Sequence, residues 1–354
     1  MNETRQLVID TARRIFQDLG DPQTINAAKD TSWKRPLWIA LEEAGLTQPR
    51  VGEDLGGAGL SVSDSMAIMR TAGAFAVPVP LAETLIASAL LWRGKMISPM
   101  GPMTLAPVRL KDRITLNSDG SLSGTASKVP FATDCDHIVV VAGDTENKVH
   151  VALVELSKCA ITSKPNKAGE GRDVVCFDGV MPHQSTEVPS GVSVQSTITF
   201  GAMVRATQIA GALEALMDMS VQYAGERVAF EKPIAKFQAV QHNLARLAEE
   251  AASAVAITNS AARTHEDIHD ADNIFLEVAS AKIRAGEAAG EGAAIAAQVH
   301  GAIGFTDEHI LHRYSHRLWE WRDDFGGESE WALKLGEAYC KKGGDQMWPS
   351  LTAG

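Results

Sequence analysis

Three side chains in the segment RVAFEKPIAKFQ have the chemistry to bind a phosphorylated ligand. Arg227 can meet two phosphate oxygens at once with its forked guanidinium group. Phe230 offers a flat apolar face, and Gln238 offers amide donors. The alternative is a purely structural role, in which Arg227 pairs with Glu226 or Glu231, Phe230 packs in the core and the glutamine is solvated.

A second candidate stretch begins at Gln298 and reads QVHGAIGFT. Gly301 predicts that a long alanine-rich helix ends there, and the acidic pair at residues 307–308 predicts the first turn of the next helix. A turn of this kind, here at Gly301 and Ala302, can present backbone N–H groups to a phosphate or to the edge of a flavin. The alternative is a helix-bundle corner that needs glycine for close packing.

Both stretches resemble the C-terminal signatures of acyl-CoA dehydrogenases, in the family order and at the family spacing. QVHGAIGFT resembles Q-x-x-G-G-x-G-[FY]-[TN], and RVAFEKPIAKFQ resembles R-x-x-F-G-x-x-[IL]-x-x-x-Q. Weaker matches, LWIALEEAGL and VGEDLGGAGLS, resemble the N-terminal helices of the family. The resemblance implies FAD as cofactor and α,β-dehydrogenation of an acyl-CoA. It assigns FAD contacts, made across a subunit interface, to Arg227, Phe230, Gln238, Gln298, Gly301 and Ala302.

The catalytic base is the point at which the chain departs from the family pattern. The family uses a carboxylate to remove the α-proton, because a desolvated carboxylate has a pKa near neutrality. Ungapped counting places Phe325 at the usual base position and Gly201 at the position that a minority of the family uses. Neither side chain can accept a proton. Asp324, one residue away, is the alternative base if the turn carries a one-residue bulge.

The motifs by which family members hold a flavin ring within their own subunit are also missing or replaced. The T-E-P-x-x-G-S-D loop of the family is missing, and MTLAPVRLKD stands in its place. Lys128 is followed by VPFA rather than W-[IV]-[TS]. The arginine that usually opens the helical bundle falls on Ala202, although Arg205 is close.

The chain thus keeps the motifs that contact a neighbour's flavin and lacks those that hold a flavin ring in its own subunit. This combination resembles bacterial steroid-type acyl-CoA dehydrogenases, which are heterotetramers of two unlike family members. We therefore expect a subunit that contributes FAD contacts to a site whose base a partner supplies. Acyl-CoA is the expected substrate, and the resemblance allows an electron-transfer flavoprotein as redox partner. Two alternatives remain open: a self-sufficient dehydrogenase that uses Asp324, and a catalytically silent, flavin-poor scaffold or binding protein.

Metal binding is a competing interpretation of two histidine patterns. HEDIH, at residues 265–269, spells the H-E-x-x-H motif of zinc peptidases. Its polar flanks favour a solvated corner between two helices instead. His309, His312 and His316 share one helix face at i, i+3 and i+7, where a basic surface is the expected role. No metal site is predicted.

Composition excludes several broad classes. The formal charge of −11 argues against nucleic acid as a partner. The longest apolar stretch, at residues 75–92, is interrupted by two prolines and Glu83, which argues against a membrane span. The four cysteines form no C-x-x-C pair, and together with the charged N-terminus they indicate a cytoplasmic protein with reduced thiols.

Hydrophobic periodicity predicts a mainly helical α+β fold in three parts. Residues 1–102 form an N-terminal helical domain, in which Ser32 and Ser61 are candidate helix caps. Residues 103–195 form a middle antiparallel β-domain of barrel or sandwich type, with a hairpin at Asp119-Gly120. Residues 196–354 form a C-terminal four-helix bundle. The acyl-CoA dehydrogenase family has the same three-part plan.

Overall fold

The structure, a computed structural model, describes residues 3–188, 191–267 and 271–352. It has a helical N-terminal part, a middle sheet and a C-terminal helical part, as predicted. The first strand begins at Met103 and the first bundle helix at Val194. The domain limits at residues 103 and 196 stay a prediction. No described helix is both long and apolar enough to cross a membrane.

The N-terminal part consists of five helices: α1 Glu3–Leu19, α2 Pro22–Ala27, α3 Lys34–Glu43, α4 Val62–Phe75 and α5 Leu81–Arg93. Ser61 caps α4 as predicted, because its side chain accepts a hydrogen bond from the N–H of Asp64. The prediction that Ser32 caps a helix is wrong. The Ser32 hydroxyl donates to the carboxylate of Asp30 at 2.6 Å, and this local turn competes with capping.

The middle part is an eight-stranded sheet in the order β6-β7-β3-β2-β4-β5-β8, with β1 paired to β4. The strands are β1 Met103–Ala106, β2 Ile114–Leu116, β3 Leu122–Pro130, β4 His137–Gly143, β5 Val149–Glu155, β6 Ala160–Thr162, β7 Arg172–Val180 and β8 Gln184–Glu187. The hairpin predicted at Asp119-Gly120 joins β2 to β3. Among the described strands the sheet does not close into a barrel, and β1 and β2 each pair with β4 in parallel.

The C-terminal part is a bundle of long helices rich in small residues. The helices are α6 Val194–Glu226, α7 Gln238–Asp267, α8 Ala271–His300, α9 Leu311–Asp323, α10 Glu328–Lys342 and α11 Met347–Thr352. A two-stranded ribbon, β9 Val228–Ala229 and β10 Lys232–Pro233, joins α6 to α7. Alanines on α6, α7 and α8 fill the space between these helices and allow them to approach closely.

The helix after the glycine turn begins later than predicted. Residues 301–305 form a 3₁₀ turn, and α9 starts at Leu311 rather than at the acidic pair 307–308. The side chain of His309 accepts the N–H of Leu311 at 3.1 Å. This ring nitrogen accepts one of the N–H groups that the start of a helix leaves free.

Two glycines set the distance between the N-terminal part and the bundle. A Cβ atom on Gly211 of α6 would lie 1.9 Å from the backbone oxygen of Arg70, and one on Gly73 of α4 would lie 2.1 Å from that of Gln208. Because α4 and α6 touch backbone to backbone here, neither position has room for a side chain.

Gly211→Ala is therefore expected to lower the free energy of unfolding by about 1–3 kcal/mol, since the helices must separate to admit a methyl group. Gly225→Ala is the matched control in the same helix, because no atom lies within 4 Å of its added Cβ. It should be neutral or stabilise by up to about 1 kcal/mol. Urea unfolding measures both. Equal effects of the two substitutions would contradict the close crossing.

Candidate active site and cofactor surface

The two family base positions lie against each other in the structure. Gly201 is in α6, and Phe325 is in the turn between α9 and α10 with a φ of 55°. A Cβ atom on Gly201 would lie 2.5 Å from Cδ1 and Cε1 of the Phe325 ring, which is only 3% exposed. The ring thus occupies the space that any side chain at position 201 would need. Neither position presents an ionisable group.

A cavity of about 360 Å³ opens beside this contact. Its lining residues are Val108, Arg109, Leu110, Lys111, Lys128, Pro130, Ile198, Asp323, Asp324, Phe325, Gly326, Gly327 and Glu330. The segment MTLAPVRLKD, which replaces the family loop, therefore lines the cavity and contributes two of its cations. The carboxylates of Asp323 and Glu330 are 59% and 53% exposed, so they lack the dry surroundings that a base of this kind requires.

Asp324 is held by two arginines. Arg172 donates from Nε to Oδ1 at 2.8 Å and from Nη2 to Oδ2 at 2.7 Å, and Arg205 Nε donates to Oδ2 at 2.9 Å. Burial alone would raise the pKa of Asp324, but the two guanidinium groups outweigh it and hold the pKa below its ordinary value. A carboxylate in this state is a poor proton acceptor at neutral pH, which favours a structural role for Asp324.

The same ion pairs extend into a buried cluster that joins all three parts of the fold. Its six members are at most 8% exposed: Glu83, Glu170, Arg172, Arg205, Arg317 and Asp324. Arg205 also contacts Glu83 of α5, and Arg172 Nη2 donates to Glu170 at 3.1 Å. Arg317 of α9 lies 3.1 Å from Glu170. Three guanidinium groups thus balance three carboxylates, and we call this set the ion cluster.

Lys282 of α8 lies next to the ion cluster as a surplus cation. Its Nζ donates to the backbone oxygens of Trp321 and Arg322 at 3.0 Å and 2.6 Å. Burial lowers its pKa to about 8, against the attraction of Asp324. Lys282 therefore ties α8 to the end of α9, one turn before Phe325.

Sequence reasoning missed most of the ion cluster, although Arg205 and Asp324 had been singled out. One signal was available: Glu83 interrupts an otherwise apolar helix, and a carboxylate in such a helix is usually buried with a partner. In the structure its Oε2 has no hydrogen-bond partner, and burial raises the pKa of Glu83 despite Arg205. Arg172 gave no such signal because it begins a strand.

The structure places the six predicted FAD contacts at one end of the bundle. Arg227 caps the end of α6, Gln238 begins α7, and Gln298 lies in the last turn of α8. Phe230, at the tip of the β9–β10 ribbon, is 89% exposed. Gly301 has a φ of 65° and is followed by Ala302 in the 3₁₀ turn. We call these six residues the cofactor surface.

Tyr223 connects the two halves of the cofactor surface. Its ring stacks on His300 with centroids 4.4 Å apart, and its hydroxyl donates to the backbone oxygen of His300 at 3.2 Å. The N–H of Arg227 donates to the backbone oxygen of Tyr223 at 2.8 Å. The two sequence motifs, about 70 residues apart along the chain, therefore meet through one aromatic contact.

The residues of the cofactor surface fit the phosphate-bearing half of a dinucleotide. All six are exposed, and none lines the 360 Å³ cavity. Nothing lies within 4 Å of a Cβ placed on Gly301, so a ligand can approach the backbone at that turn. An open guanidinium, an open aromatic face and two amides suit a ligand held by a neighbouring subunit better than one enclosed in this chain.

Comparison with known proteins places the chain in a family. The family described as "Acyl-CoA dehydrogenase, N-terminal domain" matches residues 2–96, and the one described as "Acyl-CoA dehydrogenase, C-terminal domain" matches residues 191–331. Together the two matches span more than half of the chain. The chain belongs to the acyl-CoA dehydrogenase family.

Individual acyl-CoA dehydrogenases and related structures align over nearly the whole chain. The chain is 26% identical over 320 residues to "Acyl-CoA dehydrogenase IpdE2" of Mycolicibacterium smegmatis, covering 90% of this chain and 93% of that protein. The fold matches the ChsE4-ChsE5 complex from Mycobacterium tuberculosis with a TM-score of 0.84 and 22% identity, covering 95% and 97%. It matches PigA with FAD and proline with a TM-score of 0.82 and 17% identity, covering 97% and 99%.

The histidine patterns have structural roles in this acyl-CoA dehydrogenase fold. The Glu266 carboxylate accepts the N–H groups of Val62 and Ser63 at the start of α4, while residues 268 and 269 lie outside the described residues. The ring of His312 lies 5.7 Å from that of His316. Within the described ranges, no group of three or more His, Cys, Asp or Glu side chains is placed to hold a metal ion.

Asp324→Asn is expected to lower the free energy of unfolding at pH 7 by about 3–5 kcal/mol, because it removes the carboxylate that Arg172 and Arg205 share and leaves the buried cluster with one guanidinium charge in excess. Asp323→Asn, a 59% exposed neighbour, should change it by less than about 0.5 kcal/mol. Since the pKa of Asp324 is lowered, its contribution is complete above the ordinary value of 3.8 and is lost as the pH falls through the folded value. Urea unfolding between pH 7 and pH 3 tests this, and a pH-independent difference would contradict it.

Gly201→Ala is expected to destabilise the fold by about 1–3 kcal/mol, because its methyl group overlaps the Phe325 ring. The same substitution in a Phe325→Ala background should lower the free energy of unfolding much less, because the ring that it would overlap is absent. A double-mutant cycle measured by thermal or urea unfolding gives the coupling. An equal cost of Gly201→Ala in both backgrounds would show that the two positions do not share this space.

Proposed function

We propose that the chain is a subunit of a flavin-dependent acyl-CoA dehydrogenase complex in which a partner subunit supplies the base. The observation that carries this proposal is the contact between Phe325 and Gly201. At the two places where the family carries its base, this chain has an aromatic ring packed on a glycine. Asp324, the nearest carboxylate, is committed to two arginines.

The cofactor surface defines the contribution of this chain. Arg227 binds the pyrophosphate of an FAD that the partner subunit holds, and Phe230 packs against its adenosine portion. The amides of Gln238 and Gln298 and the turn at Gly301 fix the orientation of the cofactor by hydrogen bonds. FAD, when bound, supplies the hydride acceptor for acyl-CoA oxidation. The exposure of all these residues in the single chain supports a site completed across an interface.

The partner is expected to be another acyl-CoA dehydrogenase-like chain with a Glu or Asp at one of the two base positions. Two relatives support this assignment. IpdE2 is described as an acyl-CoA dehydrogenase, and the ChsE4-ChsE5 structure is a complex of two differently named chains. The substrate class is an acyl-CoA thioester, and an electron-transfer flavoprotein is a suitable electron acceptor.

Flavin content tests the proposal. The full chain is purified alone and after co-expression with a family member that carries the base, and FAD per complex is measured from the visible spectrum and by mass in solution. We expect a colourless chain alone and a yellow complex. Near-stoichiometric FAD in the chain alone would support the self-sufficient alternative. No FAD under either condition would support the scaffold alternative.

In the complex, Arg227→Ala should weaken FAD retention by roughly tenfold or more, the usual effect of losing a charge-assisted hydrogen bond. Arg14→Ala, an exposed arginine on α1, removes the same charge at a distance and should retain FAD. Complex mass is the control for assembly. Unchanged FAD affinity in Arg227→Ala would remove this residue from the cofactor site.

A further inference from the structure

A second cavity, of about 230 Å³, lies where the three parts of the fold meet. One wall comes from the α2–α3 region of the N-terminal part, one from the loop before β7, and one from α9. Its lining residues are Ile25, Thr31, Trp33, Lys34, Pro78, Lys167, Ala168, Gly169, His312, Arg313 and Arg317. It shares no residue with the cofactor surface or with the 360 Å³ cavity.

The lining of this cavity is cationic. Lys34, Lys167, Arg313 and Arg317 carry positive charge, His312 can add another, and no lining residue is acidic. Like charges that share a cavity repel one another, most strongly where burial removes the screening by water, so an anion that enters the cavity is attracted to the whole set. We call these five residues the cationic pocket.

Two members of the cationic pocket have partners in the chain. Lys34 pairs with Asp134 at 3.0 Å. Arg317 lies 3.1 Å from Glu170 in the ion cluster, and its Nη2 donates to the backbone oxygen of Ala168 at 2.7 Å.

His312 has one firm contact, at one ring nitrogen. Its Nδ1 contacts the backbone oxygen of His309 at 2.8 Å, whereas its Nε2 lies 3.9 Å from the carboxylate of Asp307. Because 3.9 Å is too long for a hydrogen bond, Nε2 remains available to a ligand.

Arg313 makes no ion pair with the residues that the structure describes. Its Nε and Nη2 atoms are buried and make no hydrogen bond to the described residues. Burial and the neighbouring Arg317 lower its pKa to about 10, which reports an unfavourable environment for a cation. Lys167 has no ion pair among the described residues either. The cavity thus has two cations, the partly buried Arg313 and the exposed Lys167, that make no ion pair with the described residues.

We propose that the cationic pocket binds a phosphate group, with Arg313 and Lys167 as its principal ligands. A phosphate dianion matches the two unpaired charges, and a guanidinium fork meets its oxygens in pairs. The volume suits one phosphate group rather than a whole nucleotide, for which pockets are usually larger than about 300 Å³. Two sources share this chemistry: free inorganic phosphate and the phosphomonoester of a coenzyme such as CoA.

A bound phosphate would connect all three parts of the fold. Lys34 belongs to the N-terminal part, Lys167 to the loop before β7, and Arg313 to α9, so one anion would bridge three elements. Because the ligand binds only when these elements are together, it stabilises the folded arrangement by mass action. The pocket therefore couples phosphate concentration to the docking of the three parts.

Isothermal titration calorimetry of the full chain with sodium phosphate, at constant ionic strength set by sodium chloride, tests the site. We expect saturable binding to the wild type and a thermal unfolding midpoint that rises with phosphate. Arg313→Gln should weaken binding by roughly tenfold or more. It should not lower the stability of the phosphate-free chain, because it removes an unpaired buried cation. Lys167→Gln is the second variant.

Arg35→Gln, an exposed arginine on α3 outside the pocket, is the matched control and should bind phosphate normally. Equal weakening in Arg35→Gln, or normal binding in both Arg313→Gln and Lys167→Gln, would overturn the proposal, as would no saturable binding to the wild type. Competition identifies the source. Displacement of phosphate by CoA but not by 3′-dephospho-CoA assigns the 3′-phosphomonoester, and displacement by neither assigns the free ion.

Discussion

The buried pairing of Asp324 with Arg172 and Arg205 is the interaction on which the rest of this structure depends. Asp324 lies at the end of α9, Arg172 begins β7 and Arg205 is in the middle of α6, so one carboxylate joins the sheet to the bundle. Glu83 extends the same contact to the N-terminal part. Burying such charges costs desolvation energy, which only a balanced, hydrogen-bonded set offsets. The ion cluster balances its charges with equal numbers of guanidinium groups and carboxylates, although Oε2 of Glu83 makes no hydrogen bond to the described residues.

The pairing of Asp324 with the two arginines also fixes the position of the next residue, Phe325. Because Asp324 is fixed by three short hydrogen bonds, the next residue, Phe325, is held with a positive φ and its ring directed at Gly201. A carboxylate that removes protons must be desolvated yet free of permanent counter-charges. Among the described residues that line the cavity, Asp324 is the one deeply buried carboxylate, and it is bound by two arginines. The family fold is retained, and at this turn an aromatic ring packs on a glycine.

The elements that the sequence predicted well are those specified by neighbouring residues. The Asp119-Gly120 hairpin, the Ser61 cap and the break at Gly301 depend on local backbone preferences, and each is found as predicted. Strand β1 was missed because it is buried on both faces and lacks alternation. Most of the ion cluster was missed, since its members are up to about 240 residues apart along the chain. The residues of the cofactor surface could be predicted from motif resemblance. The residues of the cationic pocket come together only in the folded chain, so the sequence did not indicate them.

The fit between Phe325 and Gly201 makes either position hard to change by itself. A carboxylate introduced at position 201 alone would collide with the ring, and one introduced at position 325 alone would leave the space above Gly201 empty. Each residue is a condition for the other, so a substitution at either position disturbs the packing of both. Selection for a stable fold therefore acts on positions 201 and 325 as a pair rather than on each one separately.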